Sequence, residues 1–255
     1  MKILTSIVLI ASLSYALTLT LMYLFQRNLI YFPTPFDSTF PAQQVSFDNH
    51  GVRLQGWVLN PGKRRAMIYF GGNAEMITAN RELFETVFAN YSIYLMNYRG
   101  YGNSQGEASE AALFADALEI FDQLKRDHDS ISAYGRSLGS GIAVYLASQR
   151  ELDKLILLTP YDSIAAVAQR HYPIFPVSWL IRDRYDSIRW GRDIRGEVLV
   201  VSAQLDAVVP SQHAETLVKN LNRASVSYHM ISGAAHNDIG DFDQYRQILG
   251  DFIAQ

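Results

Sequence analysis

The chain has 255 residues and a formal net charge of −3, which suits one large domain and gives no electrostatic footprint for nucleic acid. It contains no cysteine, which excludes disulfides, cysteine nucleophiles and thiolate metal sites. We therefore expect one domain that binds no nucleic acid, and the composition leaves its oligomeric state open.

The amino terminus differs from the rest of the chain. Residues 3–25 contain no charged side chain, and about 20 residues at 1.5 Å each suffice to cross the hydrocarbon layer. We predict a single-pass membrane anchor over residues 1–26. A cleaved signal peptide is one alternative, because small residues at 14–16 resemble a cleavage site, and a buried soluble helix is another. Positive charges flank both sides of the span, and we expect the body to lie outside the cytoplasm.

Strand-like and helix-like segments alternate along the body. After an extended connector with three prolines that starts at Arg27, residues 43–60 alternate around Asp48-Asn49-His50-Gly51, which predicts a hairpin. From residue 66 onward the alternation predicts an α/β fold, with a mostly parallel sheet, helices on both faces and the hairpin as an antiparallel edge. The predicted strands are 66–70, 91–97, 130–134, 154–160, 197–203 and 225–231, and the predicted helices are 79–88, 109–127, 138–149, 211–221 and a segment after 241.

Residues 161–192 interrupt this alternation. They combine aromatic side chains with five arginines and two prolines, and they follow the strand that ends near residue 158. We predict a short cap inserted into a domain of residues 27–255, with an irregular linker as the alternative.

Ser137 lies in a Gly-x-Ser-x-Gly pattern between a predicted strand and a predicted helix. In a parallel sheet, sites form at the carboxyl ends of the strands, and a serine on so sharp a turn needs glycines two residues away on both sides. Gly135 and Gly139 meet that need. The pattern predicts a nucleophile, with a polar residue in a glycine-rich turn as the alternative.

A serine nucleophile needs a base, and the base needs a carboxylate that orients it. His236 lies in the small-residue loop after the last predicted strand, and Asp206 lies in the loop after the strand at 197–203. We predict Ser137, Asp206 and His236 as the catalytic residues. Asp162, which follows the preceding strand, is the alternative acid.

A tetrahedral intermediate also needs two amide donors. We predict the backbone N–H of Leu138, directly after the nucleophile, and the backbone N–H of Asn73, in the loop after the strand at 66–70. Gly72 is the alternative to Asn73, and a tight turn without a catalytic purpose is the alternative for the loop.

From about Leu24 to its end, the chain resembles the α/β-hydrolase family. It is most similar to the membrane-anchored, abhydrolase-domain (ABHD-like) group with serine aminopeptidase S33-type profiles. The segments that carry the resemblance are LIYFP, YFGGNAE, NYRGYGNSQGEASE, YGRSLGSG, DAVVP and HND. The resemblance implies the α/β-hydrolase fold and hydrolysis of esters, thioesters or amides with no metal and no organic cofactor. One departure is that Gly71-Gly72 stands where relatives commonly have a His-Gly pair.

Together, these features predict a membrane-anchored serine hydrolase that cleaves carboxylic esters through an acyl-enzyme. The expected substrate is a small-molecule or lipid-like acyl ester, and the expected partner is the bilayer around the amino-terminal helix. A thioesterase or a peptidase with the same three residues is one alternative. A non-catalytic scaffold with the same fold is the other.

Overall fold

The computed structural model describes residues 1–254. The strands are β1 (Gln43–Asn49), β2 (Val52–Leu59), β3 (Arg65–Phe70), β4 (Tyr91–Met96), β5 (Ser130–Arg136), β6 (Lys154–Leu158), β7 (Gly196–Ala203) and β8 (Ala224–Ile231). The helices are α1 (Lys2–Ile30), α2 (Arg81–Val87), α3 (Glu110–Leu124), α4 (Leu138–Gln149), α5 (Ile164–His171), α6 (Val177–Leu180), α7 (Ser187–Gly191), α8 (Ser211–Val218) and α9 (Asp243–Ala254). Short 3₁₀ turns cover Ile77–Asn80 and Ile239–Asp241.

Within residues 1–254, eight strands form one sheet in the order β1-β2-β4-β3-β5-β6-β7-β8. The pairs β1/β2 and β2/β4 are antiparallel, and every other pair is parallel. The prediction of a mostly parallel sheet with an antiparallel hairpin at one edge is confirmed. Strands β3 and β5 to β8 therefore all end at the same edge of the sheet, where the loops after them meet.

The parallel strands are apolar on both faces because each face packs against helices. All five residues of β6 are buried. In β7, Val198 and Val200 belong to one apolar core, and Leu199 and Val201 belong to the other. This alternation explains why these strands are continuous apolar runs in the sequence.

Helix α1 is longer than its apolar stretch and extends four residues into the segment predicted to be an extended connector. Gln26 is buried, and its Oε1 atom accepts a hydrogen bond from the N–H of Arg182 at 2.6 Å. Arg27 donates to Asp183 at 3.1 Å. These partners, more than 150 residues away in the chain, hold the last turn of α1 in helical form.

The segment of residues 161–192, which we call the cap segment, contains α5, α6 and α7 between β6 and β7. Its buried residues Ala165, Val177 and Ile181 form an apolar cluster with Met22 and Ile30 of α1. The cap segment is thus packed against the amino-terminal helix.

Candidate active site

Ser137 lies on a constrained turn between β5 and α4. Its backbone has φ +48° and ψ −114°, a conformation that L-residues rarely adopt. The Ser137 N–H donates to the carbonyl of Leu158 at 2.9 Å, and the Ser137 carbonyl accepts from the N–H of Ser140 at 2.9 Å. Hydrogen bonds to both sides of the residue therefore hold the turn in place.

The two neighbouring glycines have no room for a side chain. A Cβ atom on Gly139 would lie 2.0 Å from the carbonyl oxygen of Phe70, and one on Gly135 would lie 2.5 Å from the carbonyl oxygen of Gly139. Helix α4 therefore approaches the end of β3 at backbone contact distance. This contact explains glycine at position 139, and the similarly close approach of α4 to the end of β5 explains glycine at position 135.

The loops after β5, β7 and β8 bring three predicted side chains into one hydrogen-bonded chain. The Oγ atom of Ser137 lies 3.0 Å from Nε2 of His236, and Nδ1 of His236 lies 2.7 Å from Oδ2 of Asp206. When Nδ1–H donates to the carboxylate, Nε2 carries no hydrogen and is free to accept the serine proton. The arrangement can therefore activate the hydroxyl of Ser137.

The carboxylate of Asp206 is fixed from its other side. Its Oδ1 atom accepts hydrogen bonds from the N–H groups of Val208 and Val209, at 2.9 and 2.7 Å. Only 1% of the Asp206 side chain is exposed, which leaves the Oδ2 atom directed at His236 in a site with little water. Such a carboxylate can orient the imidazole and stabilise its protonated form.

Asp162, the alternative acid, contacts a different histidine. Its Oδ1 atom lies 2.8 Å from Nδ1 of His213, at the start of α8. The structure brings Asp206, and not Asp162, to His236.

The loop after β3 runs next to Ser137. A Cβ atom on Gly72 would lie 3.7 Å from the Cβ of Ser137. The N–H of Gly72 already donates to the carboxylate of Glu75. The N–H of Asn73 has no backbone acceptor among residues 1–254, and the N–H of Leu138 opens α4, where helices leave their first N–H groups unpaired.

The side chain of Asn73 fastens this loop to the end of the amino-terminal helix. Its Nδ2 atom donates to the carbonyl of Ile30 at 2.6 Å, and its Oδ1 atom accepts from the N–H of Phe32 at 2.9 Å. The hydroxyl of Tyr101 also donates to Oδ1 at 2.9 Å. Asn73 thus positions its own backbone relative to α1.

A largely buried ion pair, which the sequence did not indicate, joins two loops of the site. Arg136 lies 3.1 Å from Glu75, and it also donates to the side chain of Asn237 at 3.0 Å. Burial lowers the pKa of the Arg136 guanidinium, but the attraction of Glu75 and of nearby tyrosine oxygens outweighs this effect and raises the pKa overall. The pair links the loop after β3 to the loop of His236. Its only sequence signal is that both charges lie inside the glycine-rich motifs.

A cavity of about 430 Å³ opens beside Ser137. Its walls come from α1, the loop of Asn73, the cap segment and the loop of Asp206, and they are mostly apolar. No group of three or more histidine, aspartate or glutamate side chains in residues 1–254 has an arrangement that could hold a metal ion. The lining residues include Leu29, Ile30, Tyr161, Ile164, Val167 and Val209.

The fold matches solved α/β-hydrolase structures. A crystal structure of the Pyrococcus furiosus esterase Pf2001 superposes with a TM-score of 0.73 at 16% sequence identity, over 88% of this chain and 98% of that one. At this identity the likeness establishes the fold, which confirms the class predicted from the sequence.

Sequence comparisons then assign the family. A family model described as serine aminopeptidase, S33 matches residues 62–189. A protein of Mycobacterium tuberculosis strain CDC 1551, itself uncharacterized, is 34% identical over 91% of this chain and 88% of its own length. The α/β hydrolase domain-containing protein 17C of Xenopus laevis is 30% identical over 76% of this chain and 63% of its own length. The chain belongs to the serine aminopeptidase S33 family of α/β hydrolases, and its resemblance to ABHD proteins is confirmed.

Proposed function

We propose that this protein is a membrane-anchored serine hydrolase that cleaves carboxylic esters. Ser137 is the nucleophile, His236 is the general base and Asp206 orients the histidine. The observation that carries this proposal is the hydrogen-bonded chain of 3.0 and 2.7 Å at the carboxyl edge of the sheet. Membership of a hydrolase family supports the same reaction class.

The reaction follows from the order of the hydrogen bonds. Nε2 of His236 takes the proton from Ser137 as its Oγ atom attacks the ester carbonyl carbon, and Asp206 stabilises the imidazolium that forms. The imidazolium then gives that proton to the leaving alcohol, and an acyl-enzyme remains. His236 next deprotonates a water molecule that attacks the acyl-enzyme. This step releases the carboxylic acid and returns the proton to Ser137.

The N–H groups of Leu138 and Asn73 stabilise the oxyanion of the tetrahedral intermediate. Both are backbone donors in a buried site, and such donors bind a developing negative charge more strongly than a neutral carbonyl. The Gly71-Gly72 pair lets the loop pass close to Ser137 without a side chain between them. Backbone amides therefore stabilise the oxyanion in the absence of the histidine that relatives commonly have in this loop.

An ester with an apolar acyl group suits the cavity beside Ser137. The cavity walls are mostly apolar, and burial of a methylene group contributes about 0.8 kcal/mol to binding. The Pyrococcus furiosus neighbour is described as an esterase, which agrees with this choice of substrate.

Helix α1 anchors the protein in a bilayer. It is long and apolar enough to cross a membrane, and none of its apolar window is buried against the rest of the chain. A signal sequence at an amino terminus has the same properties. The contacts of Tyr15 with Ile174 and Phe175 favour retention, because cleavage near residue 16 would remove them.

A substrate panel tests this proposal. We expect the full-length protein in detergent to hydrolyse carboxylic esters faster than matched thioesters and peptide amides, and we expect Ser137→Ala to remove nearly all turnover. The control is the unfolding midpoint of Ser137→Ala, which should match the wild type. Faster hydrolysis of thioesters or peptides would replace the esterase assignment, and no turnover above the Ser137→Ala level would favour a non-catalytic scaffold.

A further inference from the structure

A second, smaller cavity lies between α1 and the cap segment. Its volume is about 90 Å³, and residues of α1, α5 and α6 line it. We call this cavity the helix slot. It shares four lining residues with the cavity beside Ser137, so the two cavities are neighbours. The shared residues are Leu29, Ile30, Ala168 and Tyr172.

The helix slot has the chemistry of a site for an alkyl chain. Its walls include Met22, Val177, Leu180 and Ile181. The amide of Gln26, which also borders it, is already occupied. Its Nε2 atom donates to the carbonyl of Tyr23 at 2.8 Å, and its Oε1 atom accepts from the cap segment. Both polar atoms of the Gln26 amide therefore have hydrogen-bond partners within the protein, so a bound alkyl chain does not have to supply one.

The cap segment follows α1 far into the apolar stretch of that helix. The hydroxyl of Tyr15 donates to the carbonyl of Ile174 at 2.8 Å, and the rings of Tyr15 and Phe175 stack with their centroids 5.4 Å apart. Tyr15 lies 15 residues before the end of α1, or about 22 Å along the helix axis. A bilayer that surrounds the apolar part of α1 therefore also surrounds the tip of the cap segment.

The exposed side chains of the cap segment agree with this placement. Ile174 is 73% exposed and Trp179 is 88% exposed. Exposed apolar side chains grouped on one surface mark an interaction site, and tryptophan is enriched where proteins meet the membrane interface. The helix slot is thus on the side of the domain that faces the bilayer.

We propose that the helix slot binds the distal part of the acyl chain of an ester that resides in the bilayer, with its carbonyl group at Ser137. This inference rests on the proposed ester hydrolysis and on the proposed anchoring of α1. In this arrangement α1 has two roles, because the helix that holds the protein in the membrane is also one wall of the substrate site. The chain enters from the bilayer between α1 and α5 without crossing water.

Chain-length selectivity tests the occupant of the slot. The full-length protein is assayed in detergent with 4-methylumbelliferyl esters of butyrate and palmitate, and the readout is the ratio of kcat/KM for the two. Met22→Trp fills the slot and is expected to lower the palmitate-to-butyrate ratio at least tenfold, whereas Met22→Ala should keep the wild-type preference for the long chain. The matched control is Leu21→Trp on the adjacent exposed position, which lines neither cavity.

An unchanged ratio in Met22→Trp overturns the slot as an acyl site, and so does an equal fall in Leu21→Trp. These outcomes are distinct from failure of the proposed function, in which the wild type hydrolyses neither ester. A loss of the palmitate preference in Met22→Ala also overturns the slot as an acyl site, because the enlarged slot must still accept palmitate.

Fluorescence quenching tests the bilayer as the source of the chain. The protein is reconstituted into phosphatidylcholine vesicles that carry bromine atoms on their acyl chains. The other two tryptophans are shielded, because Trp57 is buried and Trp190 packs partly buried against the core. We therefore expect the quenched fraction to fall clearly in Trp179→Phe. Equal quenching in the wild type and in Trp179→Phe overturns the membrane contact of the cap segment.

Discussion

The backbone of Ser137 is the most constrained feature of the candidate site. A residue in so sparsely populated a conformation costs about 1–3 kcal/mol, which the surrounding structure must offset. Hydrogen bonds from Ser137 to Leu158 and from Ser140 to Ser137 supply part of that offset. In this backbone conformation the Oγ atom of Ser137 lies 3.0 Å from Nε2 of His236. The cost in stability is thus linked to the position of the hydroxyl beside the histidine.

Asp206 and Asp162 both lie near the site, but only Asp206 contacts His236. Substituting each in turn separates the proposed role of Asp206 from a general effect of negative charge. Asp206→Asn keeps the shape of the side chain but loses the carboxylate that fixes the tautomer of His236. We expect kcat to fall about 10⁴-fold, the scale known for loss of the carboxylate in such an arrangement. Steady-state ester hydrolysis measures it.

Asp162→Asn is the matched control for this comparison. Asp162 contacts His213 and not His236, so we expect kcat close to the wild-type value. The reverse result, with Asp162→Asn inactive and Asp206→Asn active, would assign the acid to Asp162 and contradict the site described above.

Among the elements, α4 packs against β3 at a distance that requires glycine at position 139. A methyl group on Gly139 would collide with the carbonyl of Phe70 at 2.0 Å, and both atoms belong to rigid elements. Gly250, in α9, has no atom within 4 Å of the position of an added Cβ. Both glycines lie in helices, but only position 250 has space for a methyl group.

We expect Gly139→Ala to lower the free energy of unfolding by about 3 kcal/mol or more, because neither backbone can move aside. Gly250→Ala should raise it by about 0.5–1 kcal/mol, because alanine is the better helix former. Urea denaturation measures both. A Gly139→Ala protein as stable as the wild type would mean that α4 and β3 are further apart than the structure indicates.

The elements that the sequence predicted well are those with local causes. Alternation of apolar runs and amphipathic segments was enough to predict the order of strands and helices from residue 66 onward. The positions of Ser137, Asp206 and His236 in loops after strands were enough to predict that their side chains lie close together. The last turn of α1 was missed because Arg182 and Asp183 hold it from the cap segment. The Glu75–Arg136 pair was missed for a similar reason, since their contact depends on the register of two different loops.

At the scale of the whole molecule, the amino-terminal helix and the hydrolase domain form one packed unit. Asp183 is 4% exposed, and it accepts hydrogen bonds from Arg27 at 3.1 Å and from the hydroxyl of Tyr31 at 3.0 Å. Burial raises the pKa of Tyr31, so this hydroxyl stays protonated and acts as a donor. A buried carboxylate held by two donors from the same helix end fixes the cap segment to α1.

The central claim is that the hydroxyl of Ser137 is a nucleophile activated by His236, and covalent labelling tests it most directly. The full-length protein is treated with a fluorophosphonate, and the modified residue is located by peptide mass spectrometry. We predict one adduct, on Ser137, that is absent in Ser137→Ala and forms far more slowly in His236→Ala. A folded wild-type protein that stays unmodified at Ser137, or that reacts there equally fast without His236, would contradict the account.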